Sequence, residues 1–238
     1  MSAPHHGPEA TGGQRTGTAA RFEPHVANNY DPLPVVIATG EGVWVTDIAG
    51  RRYLDALAGY SALNLGHRHP RLIAQAQEQL LRLTLTSRAF HNDQLGPFAA
   101  ALAELTGFES VLPMNTGAEA VETAIKLARK HGRSQDPDKV GLVALEGSFH
   151  GRTLAALEAT GQPAKHAPFA PLAGFVEHVP YDDPEAMRDA VSDRTSAVLV
   201  EVVQGEGGVR RVPDEVLVAA REACDSHGAL LIIDEIQT

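Results

Sequence analysis

The hydrophobic pattern changes character along the chain. From Pro34 to Leu57 short apolar runs alternate with turn residues. Val35-Val36-Ile37 and Val43-Trp44-Val45 flank the turn Thr39-Gly40-Glu41-Gly42, and Ala49-Gly50 turns into Arg52-Tyr53-Leu54, which predicts a short β-meander. Pro70 then opens a helix whose apolar positions Ile73, Ala76, Leu80 and Leu83 recur at helical spacing. A second helical stretch covers Leu95 to Leu105. From Val111 strands and helices alternate. The strands are Val111–Met114, Val140–Leu145, Phe175–Val179, Ala197–Val203 and Ala229–Asp234, and the helices are Gly117–His131, Pro184–Ser192 and Pro213–His227. These strands are near-continuous apolar runs, as expected where helices cover both faces of a sheet. The pattern predicts an α/β fold with a mostly parallel sheet.

Ligands bind such sheets at the carboxyl ends of the strands. That rule selects Asn115-Thr116-Gly117, Gly147 to Arg152, Gln204-Gly205-Glu206 and Asp234-Glu235, which hold most of the chemically interesting polar residues.

Composition narrows the function classes. Of 238 residues 43% are hydrophobic and 21% charged, an ordinary globular balance long enough for a sizeable core. The formal charge of −10 argues against nucleic-acid binding. No apolar run approaches a membrane span. The first 24 residues are rich in Gly, Pro, Thr and Ala and lack an apolar signal region, so a disordered tail is expected over 1–24. Pro4, Pro8 and Glu9 also spoil an amphipathic transit helix. The single cysteine, Cys224, permits no disulfide or cysteine zinc cluster within the chain and reads as a small buried hydrophobe. A cytoplasmic protein is expected.

Met114-Asn115-Thr116-Gly117-Ala118-Glu119 ends a strand and opens a helix. It reads as a capping box with Thr116 as N-cap and Glu119 reaching back, and equally as an anion site in which Gly117 lets backbone N–H groups approach a phosphate. In the helix that follows, Val121, Ala124, Ile125 and Ala128 form one face and Gly132 is expected to end it. Leu230 to Glu235 is an apolar strand ending in two acids. The P-loop reading of that strand fails, because no lysine follows a glycine. A dinucleotide fingerprint fails at Arg210, and Gly147-Ser148-Phe149-His150-Gly151 has the wrong spacing for a nucleophile elbow. A carboxylate at a buried strand end needs a cationic partner, and a protonated pyridine nitrogen is one. His67-Arg68-His69 and His5-His6 invite a metal, but no third ligand stands at a supporting spacing, so no metal site is expected.

One family shows these segments together and in order: Asn29 to Pro34, Gly66 to Pro70, Thr84 to Phe90, Pro113 to Glu119, Phe149 to Thr153, Val200 to Gly208 and Asp234 to Thr238. From about residue 25 to its end the chain resembles the class III pyridoxal-phosphate-dependent aminotransferases. The Asn29-Tyr30-Asp31-Pro32-Leu33-Pro34 and Thr86-Ser87-Arg88-Ala89-Phe90 stretches resemble the ornithine δ-aminotransferases in particular. The resemblance implies an incomplete fold-type I large domain, three-layer α/β/α, with 1–24 as tail, 25–65 as the N-terminal segment with the meander and 66–238 as the cofactor-binding part.

The resemblance also implies roles. Gly117 and Ala118 hold the phosphate of pyridoxal 5'-phosphate, Phe149 stacks on its ring, Asp234 pairs with the ring nitrogen and Gln237 hydrogen-bonds near the ring hydroxyl. Tyr30 and Arg152 hold the α-carboxylate of ornithine, and Tyr60 lines the pocket. Glu206 is a switch acid that masks a second arginine in one half-reaction and frees it in the other. The reaction implied is a ping-pong transfer of the δ-amino group of ornithine to a 2-oxo acid. Acetylornithine and 4-aminobutyrate are the alternative donors.

The family's Schiff-base lysine lies on a strand beyond Asp234-Glu235-Ile236-Gln237-Thr238, and its switch arginine lies in a C-terminal small domain. The four lysines here are Lys126, Lys130, Lys139 and Lys165, the last two in expected polar loops, and none matches that role by motif. The family's sheet also places two further strands between the fifth and the first. Inactivity of the chain alone is therefore expected. Three readings remain: half of an enzyme completed by a separately encoded C-terminal chain in a homodimer-type assembly, a non-catalytic truncated remnant, or a partner-binding subunit.

Overall fold

In the computed structural model the described residues are 22–27 and 29–238. His5-His6 and residues 1–21 of the expected tail lie outside them. The chain divides into two compact units, the first ending at Leu85 and the second running from Thr86 to Thr238.

In the first unit, β1 (Ile37–Glu41), β2 (Trp44–Asp47) and β3 (Arg52–Leu54) form the expected antiparallel meander. Glu41 pairs with Trp44, so the first turn is the two-residue Gly42-Val43 rather than Thr39–Gly42. The reason is Gly42, whose φ of 56° suits the tight hairpin that such a loop demands. At the second turn Asp47 accepts the Ala49 and Arg51 amides, Arg51 Nε and the Tyr53 hydroxyl, at 2.8, 2.9, 2.9 and 2.9 Å. His67, one of the histidines considered for a metal, binds Asp55 at 2.7 Å through Nε2, and its carbonyl accepts Gly42 N–H. Ala58–Ser61 is a left-handed turn, with Tyr60 at φ 57°. Helix α1 (Pro70–Arg82) starts on the predicted proline, although none of its residues is buried.

The second unit holds α2 (Leu95–Thr106), which Gly107 ends in the left-handed conformation, and α3 (Gly117–Gln135). There follow β4 (Gly141–Leu145), α4 (Leu154–Ala159), α5 (Pro163–His166), β5 (Val176–Val179), α6 (Pro184–Ala190), β6 (Thr195–Val200), β7 (Val203–Gln204), β8 (Arg210–Arg211), α7 (Asp214–His227) and β9 (Leu230–Ile233). The main sheet has the order β5-β4-β6-β9 and every pairing in it is parallel. One face packs Val143, Leu145, Val198 and Val200 against Met187 of α6 and Val216, Ala220 and Cys224 of α7. The other packs Leu142, Ala197 and Leu199 against Val121, Ile125 and Ala128 of α3 and Ala156 and Ala159 of α4. Each fully buried Leu or Val contributes about 1.5–3 kcal/mol, so the sheet and its two helix layers are held chiefly by this apolar contact.

Three expectations are corrected. Val111–Met114 forms no strand, with Leu112 and Met114 exposed, because an extended segment becomes a strand only by pairing and no backbone pairs with it among the described residues. Helix α3 does not stop at Gly132 but continues to Gln135. Gly132 is buried where a Cβ would lie 2.3 Å from the Lys139 carbonyl, so the glycine serves close packing, and Pro137 ends the helix by excluding Asp136 from helical geometry. The expected strand Ala197–Val203 breaks at Glu201, and β7 pairs instead with β8 in a separate antiparallel ribbon.

Candidate active site

The carboxyl ends of the parallel strands face a group of loops, and the residues there meet one another closely. Thr116 caps α3: its hydroxyl accepts Glu119 N–H at 3.1 Å, while the Glu119 carboxylate reaches back to Asn115 N–H at 2.8 Å. Among the described residues nothing bonds the amides of Gly117 and Ala118, which stand at the positive end of a long helix, an arrangement suited to an anion. A Cβ on Gly117 would lie 2.7 Å from Ile236 Cγ2, so any side chain there would have to displace Ile236. Gly151 has φ 133°, and a Cβ on it would lie 3.3 Å from Ala118 Cβ. The helix start, the Phe149–Arg152 segment and the segment after β9 therefore share one small space.

Behind that space stands a buried polar group. Asp234 directly follows β9, its N–H held by the Val200 carbonyl at 2.8 Å. Its Oδ1 accepts Ile236 N–H at 3.1 Å and its Oδ2 lies 2.8 Å from His150 Nδ1. An ionised carboxylate only accepts, so against it Nδ1 is the donor. His150 is fixed from its own backbone as well, its N–H bonding Thr160 Oγ1 at 2.9 Å, and its buried Nε2 has no hydrogen-bond partner among the described residues. Glu201, also buried, accepts Phe149 N–H at 2.9 Å. Burial pushes its carboxyl above the usual carboxylate range, against the opposing pull of the Phe149 N–H and of His150.

Two cations stand over the Phe149 ring: Lys165 Nζ at 4.6 Å and the Arg152 guanidinium at 5.6 Å from the centroid. Lys165 also approaches Glu206 at 3.6 Å. Glu206 sits in the loop between β7 and β8, which is braced from below. Gln204, fully buried, donates to the Glu146 carbonyl at 2.9 Å and accepts Arg210 Nη2 at 2.8 Å, and Arg210 stacks over Tyr181. Gln237 lies against Gly205, where a Cβ would be 2.8 Å from its Oε1.

Residues 25–238, which include Gly117, Ala118, Phe149, Arg152, Glu206, Asp234 and Gln237, match the family model for aminotransferase class III. The chain belongs to the class III aminotransferases. A curated relative within this family, the ornithine aminotransferase of Geobacillus sp. (strain WCH70), is 48% identical over 219 residues, which are 91% of this chain and 55% of the relative. The ornithine aminotransferase of Macrococcus caseolyticus is 48% identical over 89% of this chain and 54% of its own length. Among solved structures, an ornithine aminotransferase from Toxoplasma gondii superposes with a TM-score of 0.86 at 42% identity, covering 92% of this chain and 52% of that one. An acetylornithine aminotransferase from Elizabethkingia anophelis superposes with a TM-score of 0.78 at 40% identity, over 94% of this chain and 56% of that one. The chain thus spans about half the length of the relatives it matches.

A class III cofactor, pyridoxal phosphate, fits the residues present. Glycine backbones leave room at Gly117 and Gly151, untouched amides begin α3, an aromatic ring stands at Phe149, and a buried carboxylate at Asp234 is held for a cationic partner. In the first unit, Tyr30 and Tyr60 meet hydroxyl to hydroxyl, and both are exposed. Reasoning from sequence missed three neighbours of the site. His150 and Glu201 were visible only as members of quoted motifs. Lys165 had no signal at all: it stands not in a polar loop but on α5, half-buried beside Phe149. Lys139 is likewise buried, its ammonium bonded to the His227 carbonyl at the end of α7.

Proposed function

We propose that this chain supplies the cofactor cradle and the carboxylate clamp of an ornithine δ-aminotransferase, with L-ornithine as amino donor and a 2-oxo acid as acceptor. When bound, pyridoxal phosphate supplies an electron sink for the carbanion formed at the donor carbon. The amides of Gly117 and Ala118 hold its phosphate, Phe149 covers one face of its ring, and Gln237 hydrogen-bonds beside the ring hydroxyl. Asp234 keeps the ring nitrogen protonated, and His150 orients that carboxylate through the 2.8 Å bond to Oδ2. Arg152 takes the donor's α-carboxylate through a charge-assisted fork, and Tyr30 and Tyr60 are substrate-binding residues by resemblance to the family. Glu206 is the acid that alternates between masking a cation and releasing it. The Schiff-base lysine and the switch arginine come from polypeptide beyond these 238 residues, in a homodimer-type assembly in the cytoplasm; residues 66–238 form the cofactor-binding part.

The observation that carries this reading is the buried Asp234–His150 pair, with His150 next to Phe149 in the chain and Asp234 two residues before Ile236, the side chain that lies against Gly117. The test is a fluorescence titration of the full chain with pyridoxal phosphate. Asp234→Ala and Gly117→Val are expected to weaken binding by about tenfold or more, as the loss of a charge-assisted contact implies. Unchanged affinity in both sinks the reading. The likeness to an acetylornithine aminotransferase favours N-acetylornithine as the second candidate donor. Competition between the two donors for the cofactor-loaded chain, with 4-aminobutyrate as a third, ranks them.

A further inference from the structure

Arg152 is exposed, and its guanidinium has no hydrogen bond or ion pair among the described residues, only the Phe149 ring 5.6 Å away. The backbone on either side of it is held, and helix α3 does the holding at both ends. Gly151, with φ 133°, is buried against the first turn of α3: a Cβ on it would lie 3.3 Å from Ala118 Cβ and 3.4 Å from Ala118 Cα. Its carbonyl accepts the Thr160 hydroxyl at 3.3 Å. On the other side, Thr153 Oγ1 donates to Glu122 Oε1 at 2.5 Å, and the same oxygen accepts Ala156 N–H at 3.2 Å.

Ala118 and Glu122 are four positions apart on α3, so they share one face of the helix about 6 Å apart along its axis. Gly151 and Thr153 are separated by a single residue, a span that extended chain covers in about 7 Å. The match lays this segment along α3 with Arg152 bracketed in the middle. Thr153 begins α4 but makes no side-chain cap of its own, and the first turn of α4 contains no acidic residue. The first amides of a helix have no partner within it. Glu122 supplies the acceptor from another helix, and a hydroxyl 2.5 Å from a carboxylate is the short, charge-assisted kind of hydrogen bond. Without Glu122 the segment is held at Gly151 alone.

We propose that Glu122 is a positioning residue for Arg152: by tying Thr153 and the first turn of α4 to α3, it sets the direction in which the guanidinium leaves the backbone. The proposal rests on the reading of Arg152 as the residue that takes the donor's α-carboxylate. Glu122 acts through Arg152 and takes no ligand itself. The helix whose first amides serve the cofactor phosphate thereby also aims the cation that serves the donor, so one rigid element spaces the two binding groups.

Two measurements on the full chain test this. The first is limited trypsin digestion under native conditions, with cleavage after Arg152 followed by mass spectrometry. Cleavage after Arg188 and Arg221, on α6 and α7 of the opposite sheet face, is the control for global unfolding. Cleavage needs local opening, so Glu122→Ala is expected to speed it at Arg152 about tenfold and leave the control sites within about twofold. Glu122→Gln keeps an acceptor and is expected to recover most of the protection. Thr153→Val removes the same bond from the other side, and it carries the test if Glu122→Ala speeds cleavage at every site. Unchanged cleavage at Arg152 in both variants overturns the proposal.

The second is calorimetric titration with L-ornithine and, separately, with pyridoxal phosphate. Glu122→Ala is expected to weaken ornithine about tenfold, the equivalent of one charge-assisted hydrogen bond, with cofactor affinity within about twofold of wild type. In an Arg152→Gln background the same change is expected to cost nothing further, because the two residues act as one unit. A loss that persists in that background, or one shared equally by the cofactor, shows that Glu122 does not act through Arg152 and overturns the proposal. If Arg152→Gln weakens ornithine and Glu122→Ala does not, the clamp stands and the role of Glu122 alone fails. If wild type takes up no ornithine, or Arg152→Gln leaves its affinity unchanged, the clamp fails and the proposal with it.

Discussion

His150 Nδ1 lies 2.8 Å from Asp234 Oδ2, and neither side chain is more than 6% exposed. The two residues are 84 positions apart and come from different strand ends. The carboxylate that closes β9 is therefore not left bare in the interior: it is held by a ring whose own N–H is fixed to Thr160. Replacing His150 by Phe strands a buried acceptor and is expected to cost about 1–3 kcal/mol of unfolding free energy in urea. His150→Asn, which keeps a donor, is expected to cost less. If the Phe variant unfolds at the wild-type midpoint, Asp234 needs no such partner.

The contact between Gly117 and Ile236 lends itself to a double-mutant cycle. Gly117→Ala places a methyl 2.7 Å from Ile236 Cγ2, and overpacking of this kind costs about 1–3 kcal/mol. Ile236→Ala makes room, so the double variant is expected to recover at least about 0.5 kcal/mol relative to the sum of the single changes. Strict additivity in thermal or urea unfolding would show that the two segments do not touch.

Glu201 gives a pH signature. Burial raises its folded pKa above the ordinary value of 4.5, so between the unfolded and folded values the folded state binds more protons than the unfolded one. Its contribution is most favourable below that ordinary value and is lost as pH rises through the folded one. The stability of wild type relative to Glu201→Gln is accordingly expected to fall as pH increases from about 4.5. A difference between the two proteins that stays flat with pH contradicts this.

Asp47 has the opposite sign. The Arg51 N–H, with Tyr53, Arg51 Nε and the Ala49 N–H, outweighs desolvation and lowers its pKa from 3.8 to about 2. The stabilisation is whole above 3.8 and disappears as pH falls towards 2. Acid unfolding of Asp47→Asn beside wild type measures it: the gap between them should close over that interval and stay open above it.

Cys224 is fully buried in the core formed with α6, and burial raises its thiol pKa. A buried, neutral thiol is a poor nucleophile. The folded chain is expected to resist thiol reagents for hours and to release one equivalent of chromophore once denatured, there being one cysteine in the sequence. Rapid labelling under native conditions would place Cys224 outside the core.

Much of the second unit was legible residue by residue. The apolar runs at 140–145, 197–203 and 229–234 announced three of the parallel strands, and Val121, Ile125 and Ala128 announced the inner face of α3. Thr116 and Glu119 announced the helix start to the residue. The errors share a cause. Val111–Met114 has strand composition, but strand identity belongs to a pair of segments rather than to one. Gly132 carries the composition of a helix end, yet its lack of a side chain serves the passage of Lys139. Glu201 interrupts an apolar run because its side chain is committed to an amide 52 residues away.

The sequence by itself determined the α/β class, the meander, the capped helix and the strand ends at which the candidate site lies. Those features arise from periodicity and local hydrogen-bonding chemistry, which act over a few residues. Tertiary structure alone decided that His150 would meet Asp234, that Glu201 would hold Phe149, and that Lys165 would stand between Phe149 and Glu206. Those meetings depend on the strand order β5-β4-β6-β9 and on where each loop crosses the edge of the sheet. Long-range backbone pairing sets that order, and no short stretch of residues encodes it.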